Sequence, residues 1–148
     1  LQPYKACVFL SDHHARHSNP QNPTGAVIPR STLEQLVDIA REKSIIIHSD
    51  EVYRPLFHNI SPADPRFPPT LLSMGYEHTV VTGSVSKAYS LAGLRVGWIA
   101  SRDSSIIESL ANAEINYLGG QIDEAIASFA LAPDCIHNLL KRNLDLAR

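Results

Sequence analysis

Ser31-Thr-Leu-Glu-Gln-Leu-Val-Asp-Ile-Ala-Arg-Glu-Lys-Ser-Ile-Ile-Ile-His-Ser-Asp50 passes from helical to extended patterning with only Ser44 between the two. Leu33, Leu36, Val37 and Ala40 recur at intervals of three and four, so one face of a helix over 31–43 is apolar. Ser31 followed by Glu34 has the form of a capping box at its start. Ile45-Ile46-Ile47 is β-branched and unbroken, as expected of a strand covered on both faces. A helix feeding directly into such a strand predicts a layered α/β sheet.

Working outward, Ala6 to Leu10 predicts a buried strand closed by Ser11 and Asp12. The polar stretch Asp12 to Ser18, with His13, His14 and His17, reads as a solvated loop. A metal is the alternative there, because His13 and His17 are four apart and could meet on one helical face, with Asp12 the nearest carboxylate. Asn19-Pro20-Gln21-Asn22-Pro23-Thr24-Gly25 is dense in turn formers. Pro55 to Pro69 reads as an irregular surface loop. Val80 to Thr82 and Val96 to Ala100 predict two further strands, the first ending at Gly83-Ser84. The pattern turns helical from Ser104 onward, with Ile106, Ile107, Leu110 and Ala113 on one stripe, until Gly119-Gly120 breaks it; helical runs over 122–131 and 135–146 follow, separated by Pro133.

The chain has 148 residues, 44% hydrophobic and 19% charged, a composition ordinary for one soluble globular domain. A net charge of −2 gives no reason to expect nucleic acid or an anionic membrane as a partner. No apolar run approaches the ~20 residues that span a bilayer. Leu1 to Cys7 lacks the charged and apolar regions of a signal peptide, and the start at Leu1 reads as a fragment. Cys7 and Cys135 form no metal or redox spacing and suit a reducing compartment, so a cytoplasmic location is expected.

In open α/β sheets ligands bind beyond the carboxyl ends of the strands. The expected strand ends lead to Asn22, to Asp50 and Tyr53, and to Ser84, Ser86 and Lys87. Singly, each has an ordinary reading: Asp50 as a turn cap, Lys87 as a surface lysine, Tyr53 as a core residue. Together, Asn19 to Gly25, Ser49-Asp-Glu-Val-Tyr53 and Ser84-Val-Ser-Lys-Ala-Tyr-Ser-Leu-Ala-Gly-Leu-Arg-Val-Gly-Trp98 resemble the class I/II aminotransferases, fold-type I enzymes dependent on pyridoxal phosphate, in order and in spacing over nearly the whole chain.

The resemblance implies the three-layer α/β/α fold of that family's large domain, with a mostly parallel sheet. The chain would be its C-terminal part, with the N-terminal half and the small domain absent. Lys87 would carry pyridoxal phosphate as an imine and then move a proton at the substrate Cα. A lysine amine is ordinarily protonated near neutral pH, so that role needs a site favouring its neutral form. Asp50 would hold the proton on the pyridine nitrogen, and Tyr53 and Asn22 would donate to the ring's phenolate oxygen. Ser84, Ser86 and Arg95 would bind the phosphate.

Ala92 and Gly93 would let the chain turn tightly between Lys87 and Arg95. A cis bond is expected before Pro23, and Tyr89 and Trp98 are assigned to packing. Against the family pattern, Asp12 to His17 looks like an insertion.

The implied activity is amino transfer from an amino acid to a 2-oxo acid, in a full-length parent that would be a homodimer. A lyase or aminocyclopropane-carboxylate-synthase-like enzyme on the same anchor residues, and a non-catalytic truncated remnant, are the alternatives. An isolated half-sheet exposing Ile45 to Ile47 would be poorly soluble or bind the cofactor weakly.

Overall fold

The structure is a computed structural model and describes residues 9–10, 13–58, 60–61, 63–113 and 120–146. Strands β1 (Phe9–Leu10), β2 (His14–Ser18), β3 (Ile46–Asp50), β4 (Thr79–Ser84) and β5 (Gly97–Ser101) form one sheet in that order. β2, β3 and β4 are parallel, while β1 and β5 pair antiparallel at the two ends. The chain thus forms a partial α/β domain around a parallel centre. Ala6 to Val8, Ser11, Asp12 and Gly119 lie outside the described residues.

The largest correction falls on the histidine-rich stretch. It is no loop: His14 to Ser18 is the parallel partner of β3, in the register His17↔Ser49 and Ser18↔Asp50. The strand that runs directly into Asn19-Pro20 is therefore β2, and the apparent insertion is a sheet strand. The residues expected to form the first strand contribute β1, paired with β2 as Phe9↔Arg16. Alternation is present in β2, with Ala15 and His17 buried between exposed neighbours, but a histidine at an inward position hides the apolar signal.

Helix α1 (Arg30–Lys43) buries Leu33, Leu36, Val37 and Ala40, which pack with Ala15, Ile47, Leu71 and Val81. Each fully buried aliphatic side chain stabilises the fold by about 1.5–3 kcal/mol. The expected capping box is absent, because Pro29 is the N-cap and its carbonyl accepts from the Thr32 and Leu33 N–H groups. Ser44, in the left-handed region at φ 52, ends the helix. Tyr76 Oη then lies 2.8 Å from the Ile45 carbonyl and 3.1 Å from that of Ala40, tying helix end to strand start. β3 is not covered equally on both sides: Ile47 is fully buried, whereas Ile46 is 39% exposed.

Beyond the sheet, α2 spans Ser104–Ala113, α3 Gln121–Ala130 and α4 Pro133–Leu146. Pro133 opens α4 rather than separating two runs, as suits a residue with no N–H to satisfy. α3 and α4 pack on the segment after β4 through a cluster of Val85, Ala88, Tyr89, Ala127, Ile136 and Leu140. No helix among the described residues is long and apolar enough to cross a membrane.

At the antiparallel edge Gly83 pairs with Trp98, and a Cβ on Gly83 would fall inside the indole ring. The glycine is required because the ring lies across the strand. Trp98 is the sole tryptophan, so its emission reports this contact. We expect Gly83→Ala to displace the ring, shift the emission maximum and destabilise the chain by roughly 1–3 kcal/mol in urea titrations; an unchanged spectrum and midpoint would contradict the packing described.

Candidate active site

Parallel strands finish on one edge of a sheet, so β2, β3 and β4 deliver their following residues to the same place. Two backbone hydrogen bonds continue the pairing past the strand ends: the Asn19 N–H donates to the Asp50 carbonyl (3.1 Å) and the Glu51 N–H to that of Thr82 (2.9 Å). Around this edge lies a cavity of about 350 Å³ lined by Arg16, His17, Ser18, Gln21, Asn22, Asp50, Val52, Tyr53 and Lys87. Four residues separated by up to 65 positions in sequence, Asn22, Asp50, Tyr53 and Lys87, therefore share one wall.

Asn22 is placed by Asn19. The Asn19 side chain is buried and bridges the loop, accepting from the Ile28 N–H at 3.0 Å and donating to the Ile28 carbonyl at 3.3 Å. Within the loop the Asn22 N–H donates to Ser18 Oγ at 3.2 Å, and Gly25 takes φ +68, a turn conformation suited to glycine. The Asn22-Pro23 bond is cis, as expected, and so are Asn19-Pro20 and Arg54-Pro55.

Asp50 Oδ1 accepts the Val52 N–H at 3.2 Å. The turn-cap reading of Asp50 thus holds for this oxygen. Next to it, Glu51 is buried and accepts three hydrogen bonds on Oε1: from Ser49 Oγ (3.2 Å), Thr70 Oγ1 (3.0 Å) and the Leu71 N–H (3.0 Å). Glu51 Oε2 lies 3.7 Å from Arg54 Nε, and the Arg54 guanidinium is held against the rings of Phe57 and Phe67. The proline-rich loop is in this way anchored directly behind Asp50 and Tyr53.

Lys87 is exposed while Val85 and Ala88 on either side are fully buried. Its flank is held from α4, where buried Asn143 Nδ2 donates to the Ala88 carbonyl at 2.8 Å. Ser84, Ser86 and Arg95 are not among the cavity-lining residues. Ser84 Oγ lies 2.9 Å from Ser86 Oγ and 3.0 Å from the Val96 carbonyl, either of which can take its one hydrogen, and it accepts the Ser86 N–H (3.0 Å). This joins the two serines to the neighbour of Arg95. Arg95 is exposed, its Nη1 donating to the Ala92 carbonyl at 3.1 Å. The tight turn expected at Ala92 and Gly93 is a 3₁₀ turn over Ala92–Leu94, and Arg95 follows it in the left-handed region at φ 55.

The residues that sequence reasoning missed are Arg16, His17, Ser18, Gln21 and Val52 on the wall, with Ser49, Glu51, Asn19 and Asn143 behind it. Period-two burial in β2 was the one signal available for the first three. His17 is not the solvated residue expected but 3% exposed, and its Nε2 lies 3.1 Å from Ser49 Oγ. No cluster of three potential metal ligands occurs among the described residues.

Residues 16–138 match the family described as Aminotransferase class I and II. The chain belongs to that family. It is 39% identical over 83 residues to the glutamate-pyruvate aminotransferase AlaA of Haemophilus influenzae, covering 55% of this chain and 19% of that protein. It is 38% identical over 111 residues to the LL-diaminopimelate aminotransferase of Halothermothrix orenii, covering 72% of this chain and 26% of that protein. The crystal structure of a PLP-dependent aminotransferase from Streptococcus suis superposes with a TM-score of 0.75 and 34% identity, over 88% of this chain and 33% of that one. The chain thus spans about a fifth to a third of the length of these relatives.

Burial, reinforced by His48, pushes the His17 imidazole down from 6.5 to about 4, against the opposing charge of Asp50. Between those values the unfolded chain binds a proton that the folded chain refuses. Stability is therefore fully present above pH 6.5 and falls as the pH drops toward 4, by on the order of 3 kcal/mol. His48, lowered by the same kind of burial, acts in the same direction. Urea melts of the chain and of His17→Gln at pH 7 and pH 4.5 should show a smaller pH-dependent loss in the variant; equal losses would remove His17 as the cause.

Proposed function

We propose that this chain is the cofactor-anchoring part of an aminotransferase large domain, the later portion of a longer protomer, with Lys87 as its covalent anchor for pyridoxal 5'-phosphate. The observation that carries this reading is the meeting of the Lys87 amine, the Asp50 carboxylate, the Asn22 amide and the Tyr53 phenol in a single cavity. Its volume of about 350 Å³ is within the ~300–1,000 Å³ usual for small-molecule sites. These donors and acceptors fit the group: Asp50 for a protonated ring nitrogen, Asn22 and Tyr53 for the ring oxygen, and Ser84, Ser86 and Arg95 for the phosphate just beyond the wall.

When bound, pyridoxal phosphate supplies an electrophilic carbonyl and a ring that withdraws electrons from the substrate Cα. The Asp50 carboxylate keeps a proton on the ring nitrogen, which sustains that withdrawal. Asn22 Nδ2 and Tyr53 Oη donate to negative charge on the ring oxygen. Lys87 Nζ would hold the group covalently and, once displaced by the substrate amine and free again, would move the proton at the substrate Cα. The fixed backbone around Ala88 keeps that amine within the cavity.

The substrates we propose are an amino acid and a 2-oxo acid. They are supported by the aminotransferases to which the chain is similar. The complete protein is proposed to act in the cytoplasm as a homodimer.

Borohydride treatment of the chain with pyridoxal phosphate should leave one adduct, located by mass spectrometry on Lys87 and absent from Lys87→Ala. An adduct spread over surface lysines, or none, would sink the reading. Asp50→Ala should weaken cofactor binding by roughly 10- to 100-fold, the usual scale for losing a charged hydrogen-bond partner.

A further inference from the structure

Residues 85–95 carry Lys87 between β4 and β5, and two fixed points bracket it. The first lies on the sheet side. The Val85 N–H donates to the Val96 carbonyl at 3.2 Å, and the Val85 carbonyl accepts the Leu91 N–H at 3.1 Å. Only Ser86 stands between Val85 and Lys87. The second point is the carbonyl of Ala88, which follows Lys87 and accepts from Asn143 Nδ2 at 2.8 Å across 55 positions of sequence. Among the described residues, the other hydrogen bonds of residues 85–95 all begin and end within 84–96. Asn143 of α4 is thus the one polar tie described between this segment and another element.

An asparagine is not the side chain that packing would select there. Ile136, Leu140 and Asn143 recur at intervals of four and three, so they share the face of α4 that meets the Val85, Ala88 and Tyr89 cluster. Asn143 is 6% exposed, and its Oδ1 is buried with no hydrogen-bond partner. A leucine of nearly the same size would avoid that unmet oxygen. The atom facing the Ala88 carbonyl must be the amide nitrogen, because a carbonyl oxygen only accepts. What the amide adds, and leucine could not, is this directed bond. Apolar contact is non-directional and does not fix the orientation of a peptide group. A hydrogen bond to its oxygen does. Ser90, whose N–H donates to the Lys87 carbonyl at 3.1 Å, takes φ 57, a conformation that residues other than glycine keep where their surroundings impose it.

We propose that Asn143 is a positioning residue for Lys87. By holding the Ala88 carbonyl it sets the direction in which the Lys87 side chain enters the cavity shared with Asn22, Asp50 and Tyr53. This rests on the cofactor reading above and extends it to α4, which contributes no residue to the cavity wall. Two properties of α4 then separate. Its apolar residues stabilise the fold, and its one buried amide aims the amine.

The test compares the full chain with Asn143→Leu and Leu140→Ala, using pyridoxal phosphate as the probe. Three quantities are read: the rate at which the Lys87 adduct forms, followed by borohydride reduction and mass spectrometry; the pH at which the absorbance of the bound probe changes; and the urea midpoint. Asn143→Leu keeps the packing and loses the donor. Adduct formation on Lys87 should slow by roughly 10- to 100-fold, the scale for a reacting group displaced by about an ångström. The absorbance midpoint should shift, while the urea midpoint changes little. Leu140→Ala thins the same face and keeps the donor. Its urea midpoint should fall, and both Lys87 readouts should stay at the values of the unaltered chain. Should Asn143→Leu not fold, Asn143→Ala removes the same donor and is compared with Leu140→Ala at equal folded fraction, with the same expectation.

Lys87 readouts unchanged in the Asn143 variants, or readouts that follow the urea midpoint alike at both positions, would overturn the proposal and leave the cofactor reading standing. Should the unaltered chain form no Lys87 adduct, the cofactor reading fails, and this inference with it.

Discussion

The cavity depends on the parallel register of β2, β3 and β4. Antiparallel neighbours deliver their carboxyl ends to opposite edges of a sheet, whereas parallel ones deliver them to the same edge. The pairing Ser18↔Asp50↔Thr82, extended by the bonds from Asn19 to Asp50 and from Glu51 to Thr82, converts three distant stretches of sequence into one cavity wall. β5 contributes by running the other way. Its antiparallel return sets Ser84 opposite Gly97, bringing Val96 and its neighbour Arg95 back beside the serines that precede Lys87.

The second constraint is that the residues facing the cavity are held from behind by buried polar groups. Asn19, Glu51 and Asn143 are each nearly inaccessible, and each makes at least one hydrogen bond to backbone far away in sequence. Removing such groups from water is unfavourable unless their hydrogen bonds are made, so they hold their partners in one arrangement. The cavity-facing groups, Asn22 and Lys87 in particular, can then stay exposed without being loose. Burial resides in the supporting residues and accessibility in the cavity-facing ones.

The site was more legible than the strand that carries part of it. Asn22, Asp50, Tyr53 and Lys87 stand in short motifs with their own turn chemistry, and the structure brings all four to one cavity. The core face of α1 was equally plain, because four apolar residues repeat at helical spacing. β2 was not, since its inward residues are an alanine and a histidine. The polar partner of buried His17 is Ser49, 32 positions later.

By itself the sequence determined the alternation of helix and strand, the membership of the lysine, aspartate, tyrosine and asparagine in recognisable motifs, and the polarity of the surface. These follow from local rules: periodicity, turn propensity and charge. Tertiary structure alone decided which strand lies beside β3, which face of Ile46 and Ile47 is covered, and which residue His17 meets in the interior. Each of those depends on a partner far off in the chain, so no local pattern could specify it.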